Sequence, residues 1–350
     1  MVKTGMVCKK CVVGDDVHRM RSCFWGHVVN PFFVYVYPFV VPVGARPRNN
    51  FAVIKITTNM LRKILKWTGG IIATFIGALL IFYFVMHIYV NNKRAKTYNV
   101  EVRMLEIPSD SATIAEGAHI YATKGCGDCH GDNGAGKFFM QDKMIGAISG
   151  TNLTAGKGGR PADQGAREWL LALRHGLKRD YKPLLVMPSY EYYKMSDHDI
   201  SSLVAYLESL PPVDHEVPPA TLGPLGTVLS GLDKLPLIPA DKIDHGFRSP
   251  AKVERTVSAE YGQYLSMSCT GCHSPSLKGG DSPIPGGTPV RDITTTGNIG
   301  KWSMPEFVTA LRTGKTPDGR QLKNEDMPWK MTNQYTDGEL EAIYLYLKTL

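Results

Sequence analysis

Acidic residues are scarce at the start of this 350-residue chain. Among residues 1–100, only Asp15 and Asp16 stand against 14 lysines and arginines, a net charge of +12, while residues 101–350 sum to −4. The basic excess is therefore separate from the part large enough to fold. That excludes a nucleic-acid groove as its purpose and suits a membrane flank. Charge of either sign disappears between Trp67 and Asn92, which hold no Asp, Glu, Lys or Arg. Cysteine is also sparse, with seven in all and four of them in two tight pairs; no partners remain for a disulfide framework. Proline and glycine are not in excess and the hydrophobic content is 43%, which excludes a collagen-like or wholly disordered chain.

The uncharged stretch contains Ile71–Val90, an almost unbroken apolar run. A helix needs about 20 such residues to cross a bilayer core. The run is long for the apolar region of a cleaved signal, and no small-residue cleavage site follows within Asn91–Tyr98. An uncleaved signal anchor over residues 60–96 is expected, with its transmembrane helix at about 68–90. Arg62, Lys63 and Lys66 precede the span and Lys93, Arg94 and Lys96 follow it, so the positive-inside rule leaves orientation open. Upstream, Val28–Gly44 is apolar but broken by Pro31, Pro38 and Pro42. Met60-Leu-Arg-Lys-Ile-Leu-Lys has the form of a basic leader to an anchor. The expectation is that translation starts at Met60 and that 1–59 is upstream sequence; a second membrane-interactive segment is the alternative.

Beyond the anchor the chain repeats itself. Met187–Leu210 and Met327–Leu350 align without a gap: Met-Pro opens each, Asp197 matches Asp337, and Tyr206-Leu207 matches Tyr346-Leu347. Ile200, Leu203, Val204 and Leu207 recur at helical spacing, as do Leu340, Ile343, Tyr344 and Leu347, giving one apolar helix face twice. Capping boxes, Ser196-x-x-Asp199 and Thr336-x-x-Glu339, start both helices. Upstream, Ala172-Leu173-Arg174-x-Gly176 matches Ala310-Leu311-Arg312-x-Gly314. The organisation expected is a domain over 97–213, a proline-rich linker over 214–250, and a second domain over 251–350.

Each repeat carries C-x-x-C-H, as Cys126-Gly-Asp-Cys129-His130 and Cys269-Thr-Gly-Cys272-His273. This is the attachment pattern of c-type haem. Two thiols one helical turn apart can add to the two vinyl groups of a porphyrin, and the adjacent histidine then lies under the iron. A zinc site or a redox-active dithiol also uses C-x-x-C, but the immediate histidine and its recurrence favour haem. Cys8-Lys-Lys-Cys11 is followed by Val12 and does not fit. The residues singled out are Cys126, Cys129, His130, Cys269, Cys272 and His273, for two covalently attached haems c.

Methionine supplies the candidate sixth ligands, although an isolated methionine usually just packs. Met187 and Met327 both precede proline, occupy the same place in the repeat, and fall 57 and 54 residues after the haem histidines. Met304 begins a helix capped by Ser303, Met195 abuts the Ser196 cap, and Met331 has no repeat partner. His130, Met187, His273 and Met327 are therefore the expected iron ligands. His175 is a rival, but Thr313 stands in its place in the second repeat; His119 and His198 fit solvated or core roles.

Both halves resemble class I cytochrome c domains, most closely those of membrane-anchored cytochrome c subunits of bacterial alcohol, aldehyde and gluconate dehydrogenases. The resemblance covers roughly 111–213 and 256–350 and rests on C-x-x-C-H, the Asn152-Leu-Thr and Asp292-Ile-Thr segments, the Ala-Leu-Arg-x-Gly helix ends and Met-Pro. It implies an all-α fold of two tandem domains after the anchor. It also implies a bacterial inner-membrane protein with its haem domains in the periplasm, because c-type haem is attached outside the cytoplasm. The implied activity is electron transfer with a redox partner (a dehydrogenase, a quinol-oxidising complex or a terminal oxidase) rather than catalysis by the chain itself. His/Met ligation closes both axial positions and favours Fe(II). Arg174 and Arg312 are candidates to pair haem propionates, or equally to stabilise a helix C-terminus. The alternative function is a diheme peroxidase-type enzyme, which requires one iron to lack its methionine.

Overall fold

A long apolar run without proline satisfies its own backbone as a helix, and the computed structural model, which describes residues 58–282 and 287–350, places it in one. Residues 1–57, on which the upstream-sequence expectation turns, lie outside the described residues. Helix α1 spans Thr58–Ala95. Its Asn59–Ala95 portion has a mean hydropathy of 2.4 in its most apolar window, none of it buried, which is long and apolar enough to cross a membrane. The chain divides into two units, 1–71 and 72–350. The described part of the first is the beginning of α1; the second holds the rest of α1 and both repeats.

The first repeat begins at α2, Ser111–Thr123, capped by Asp110, whose carboxylate accepts from the N–H groups of Ala112 and Thr113. Short α3 is Cys126–His130. A hairpin follows, β1 Lys137–Asp142 and β2 Gly146–Gly150. Helix α4, Ala166–Leu170, continues into a π-helical turn over Leu171–His175 that ends at left-handed Gly176. Helix α5 is Asp197–Ser209. Its predicted face, Ile200, Leu203, Val204 and Leu207, is buried with Ile120, Trp169 and Leu173 in one core. Burying each such side chain stabilises by about 1.5–3 kcal/mol.

The segment expected to be a linker is built into the first domain. Strand β3, Thr221–Leu222, extends the hairpin into a three-stranded antiparallel sheet, pairing Gly146 with Leu222. Helix α6 is Pro224–Gly231. Leu237, Ile238, Ala240 and Ile243 are buried, and the Leu237 carbonyl accepts from Val186 N–H at 2.7 Å. The fold is thus largely helical and not purely α. Strand β1 faces solvent almost throughout, so it lacks the alternation that marks a half-buried strand.

The second repeat rebuilds the first with α7 Ala259–Leu265, α8 Thr270–His273, α9 Met304–Thr313, α10 Trp329–Thr332 and α11 Asp337–Leu347. Leu340, Ile343 and Leu347 are buried with Tyr261, Leu265 and Phe307. Tyr344 stays half-buried because its hydroxyl reaches the Trp302 carbonyl. Each repeat crosses its first helix over its last at a glycine. A β-carbon at Gly117 would strike the Ser202 carbonyl and Tyr206; one at Gly262 would strike the Ala342 carbonyl and Tyr346. The struck residues are 140 apart, the same offset as Met187 and Met327.

Candidate functional site

Left-handed glycines bracket α3: Gly125 at φ 69° starts it and Gly131 at φ 75° ends it. One turn of helix then carries Cys126, Cys129 and His130. In the second repeat, Cys269 caps α8, which carries Cys272 and ends at His273. The histidines are held alike. His130 Nδ1 lies 2.8 Å from the Thr151 carbonyl, and His273 Nδ1 lies 2.8 Å from the Arg291 carbonyl. A carbonyl only accepts, so Nδ1 carries the proton in both and Nε2 keeps its lone pair for a metal. Burial lowers the pKa of both imidazoles, more than the carbonyl partner raises it, and favours the neutral ligating form.

The segment that presents the carbonyl is pinned by its neighbour. Asn152 Oδ1 accepts from Thr154 N–H and Oγ1, while its Nδ2 donates to the Val213 and His215 carbonyls. Asp292 accepts from Thr294 and Thr296. The amide stands where carbonyls must be met, and the carboxylate where the partners are all donors.

Burial pushes the Cys126 thiol up to about 12 and the Cys269 thiol up to about 11, and raises Cys129 and Cys272. A dithiol enzyme needs the opposite, a thiolate. Met187 flanks the same core as Cys126. It sits after Val186, a non-glycine residue at φ 76°, and its carbonyl accepts from Ser189 N–H as that of Met327 accepts from Trp329 N–H. Met327 is half-buried. Tyr192, five residues after Met187, is buried against the first attachment segment and its hydroxyl reaches the Lys124 carbonyl. Tyr335 is buried close to Cys269. The chain after each Met-Pro therefore runs back along its own attachment helix.

Arg174 and Arg312 turn onto the chain itself. Arg174 donates to the Tyr193 and Met195 carbonyls, to Ser249 and to Asp197. Arg312 donates to the Asn333 carbonyl at 2.5 Å and to Asp337 at 2.6 Å. Each braces the loop after its Met-Pro to the start of the last helix, a role neither of the two expected alternatives described. His175 is buried on the ring of His245, Nδ1 to Nδ1 3.1 Å, with its pKa lowered to about 4 mainly by burial. Sequence reasoning did not single out Arg160 and Trp169. Their Nε and Nε1 atoms in the first repeat are buried without a hydrogen-bond partner in the protein. Such donors call for an acceptor, and a carboxylate-bearing group such as haem supplies one, so the residues present fit haem. An unpaired burial of this kind has no sequence signal.

The two attachment segments abut. Lys124, buried, donates to Ser268 Oγ at 3.0 Å, and its charge acts on both Cys126 and Cys269. A β-carbon at Gly125 would meet Met331 Sδ, and one at Gly271 would meet the Glu191 carboxylate. Glu191 and Met331 are equivalent positions of the two repeats. Burial raises Glu191 to about 7. His119 on α2 reaches Glu339 on α11 at 2.9 Å, and Tyr264 on α7 reciprocates onto Asp199 of α5.

The model of the family described as cytochrome c matches residues 114–211 and 259–350, more than half of the chain. The fructose dehydrogenase cytochrome subunit of Gluconobacter japonicus is 26% identical over 68% of this chain and 52% of its own length. The cytochrome c subunit of the quinone-dependent alcohol dehydrogenase of Gluconacetobacter polyoxogenes is 26% identical over 69% and 57%. The gluconate 2-dehydrogenase cytochrome c subunit of Pantoea cypripedii is 26% identical over 69% and 60%. This chain thus spans about half to three-fifths of the relatives' length.

Proposed function

The chain belongs to the cytochrome c family and carries two covalently bound haems c; from that premise we propose that it is a membrane-anchored relay, His/Met-ligated at both irons, between a dehydrogenase or other respiratory donor and a downstream acceptor. The observation that carries this is the contact of the two attachment segments through Lys124, Ser268, Met331 and Glu191. Each haem supplies reversible one-electron chemistry at iron. The chain does the rest. Cys126, Cys129, Cys269 and Cys272 tether the groups, and Thr151 and Arg291 fix the tautomers that aim His130 and His273. Met187 and Met327 would supply the second iron ligands, and Arg174 and Arg312 hold the loops that follow them in register. Arg160 Nε and Trp169 Nε1, buried donors without a partner in the protein, would donate to a propionate. Helix α1 is the single-pass inner-membrane anchor that keeps both haem domains in the periplasm at high local concentration beside the partner.

The test is the oxidised optical spectrum of the full haem-loaded chain. Two haems per chain, both showing the long-wavelength band of methionine-ligated ferric haem, are expected. Met187→Ala and Met327→Ala should each remove about half of that band and lower one midpoint potential. A band that covers one haem only, or that neither substitution changes, overturns the relay in favour of an open iron.

A further inference from the structure

Helix α6 is amphipathic the wrong way round. Its apolar residues Leu225, Val228 and Leu229, with Leu232 just beyond, recur at the spacing of one helix face. In a water-facing helix that stripe turns to the core. Here Gly226, Thr227 and Ser230 are buried instead, while Leu225 is 41% exposed and Leu232 is 48% exposed.

The neighbours explain the inversion. At the end of α6, Gly231 packs on α1, where a β-carbon would lie 2.9 Å from Met86 Sδ and 3.3 Å from Val90 Cγ2. Val90 is buried, whereas Phe84, Val85 and Ile88 beside it remain exposed and apolar. At its start, the Leu225 and Gly226 N–H groups donate to the Met144 carbonyl at the tip of the hairpin, and the Met144 side chain is exposed. Exposed Lys143 and Lys234 flank this surface. The outward face of α6 is thus continuous with the apolar surface of α1 at the last turns of the span, just before the polar exit Asn91-Asn92-Lys93.

We propose that α6 and the Asp142–Gly146 turn form a second membrane contact. It lies at the boundary of headgroups and acyl chains of the bilayer that α1 crosses, with Met144, Leu225 and Leu232 in the acyl region and Lys143 and Lys234 at the phosphates. The inference rests on α1 being the anchor. Its consequence is a fixed orientation: Lys93 pairs with Asp241 at 3.1 Å and Tyr98 bonds the same carboxylate, so the first haem domain is locked to the end of the span and does not swing on a tether.

The experiment uses the full haem-loaded chain in phosphatidylcholine vesicles doped with phosphatidylcholine bearing a diazirine on its acyl chain. After irradiation, adducts are mapped by peptide mass spectrometry. Adducts on Ile71–Val90 and also on Leu225–Leu232 and Met144 are expected. Adducts on α1 alone overturn the inference, leave the anchor standing, and assign the α6 face to a protein partner. Adducts on neither overturn the anchor reading itself. In Leu225→Glu/Leu232→Glu, the haem spectrum should be unchanged, showing an intact fold, and adducts on α6 should be lost while those on α1 persist. Wild-type labelling of α6 in that variant also overturns the inference.

Discussion

The carboxylate of Glu339 offers a quantitative test of how the two repeats are joined. Burial alone would raise its pKa. Hydrogen bonds from His119 of the first repeat, from Thr336 N–H and from Thr336 Oγ1 overcome that and hold it at about 2, against an ordinary 4.5. Tyr261 adds a further donor at 3.3 Å. Each pKa unit corresponds to about 1.4 kcal/mol of preference for the ionised form in the folded state, so the ionised group stabilises by about 3 kcal/mol at most. The side chain is 10% exposed, and little is lost to solvent screening. The sign follows from linkage. A carboxylate depressed by folding contributes fully above the unfolded pKa and loses that contribution as pH falls toward the folded one. Glu339→Gln should therefore cost about 2–3 kcal/mol at pH 7 and flatten the acid limb of the stability curve between pH 4.5 and 2. Denaturant unfolding of the haem-loaded chain, followed by haem absorbance across pH, reads both effects. Equal stability of Glu339→Gln and wild type at neutral pH, with the same acid slope, would refute the assignment. His119→Ala separates the inter-repeat share from the helix cap supplied by Thr336, and should reproduce part of the destabilisation but not all of it.

Two further outcomes test the packing. Gly117→Ala gains about 1 kcal/mol of helix propensity. Its β-carbon would nonetheless lie 2.7 Å from Tyr206 Cβ and closer still to the Ser202 carbonyl, so overpacking should win by about 2 kcal/mol and lower the unfolding midpoint by roughly 5–10 °C. Gly338→Ala, which meets only Val257 Cγ2 at 3.4 Å, is the control and should leave the midpoint unchanged or raised. Arg174→Lys should cost about 2 kcal/mol, because four acceptors on a nearly buried fork cannot be met by an ammonium. Arg312→Lys should cost under about 1 kcal/mol, since Asp337 is 91% exposed. Denaturant titrations of the two variants side by side check the contrast, and equal losses would contradict it.

What could be read from the residues alone was whatever each repeat does for itself. C-x-x-C-H is a local motif, and the faces of α5 and α11 are periodic. The Ser303 and Thr336 caps lie within three residues of their partners: Thr336 and Glu339 close a full capping box, and the Glu306 carboxylate accepts from Ser303 N–H and Oγ. The Ser196 box closes only halfway, because the Asp199 carboxylate is drawn to Arg255 and Tyr264 of the second repeat. Partners far along the chain are what a local reading misses. Residues 214–250 look like a linker because their proline density hides structure that exists only by contact, with Asn152, Val186 and Met144 among the residues that supply the other half of its hydrogen bonds.

The repeats agree where each must hold its own haem. The Nδ1–carbonyl bond, the crossing glycine, the Met-Pro carbonyl and the arginine brace all recur. They differ where their surroundings differ. The first has a hairpin where the second has a single bridge between Gly280 and Val290 among its described residues. Helix α6 packs on the end of α1 through Gly231, and the hairpin tip is held to α6 through the Met144 carbonyl. A duplicated domain keeps what its cofactor requires in both copies, and the addition carried by the first copy packs on α1. The orientation of α6 was illegible from sequence: the proline-rich stretch reads as a linker, and only the position of α1 turns its short apolar stripe outward.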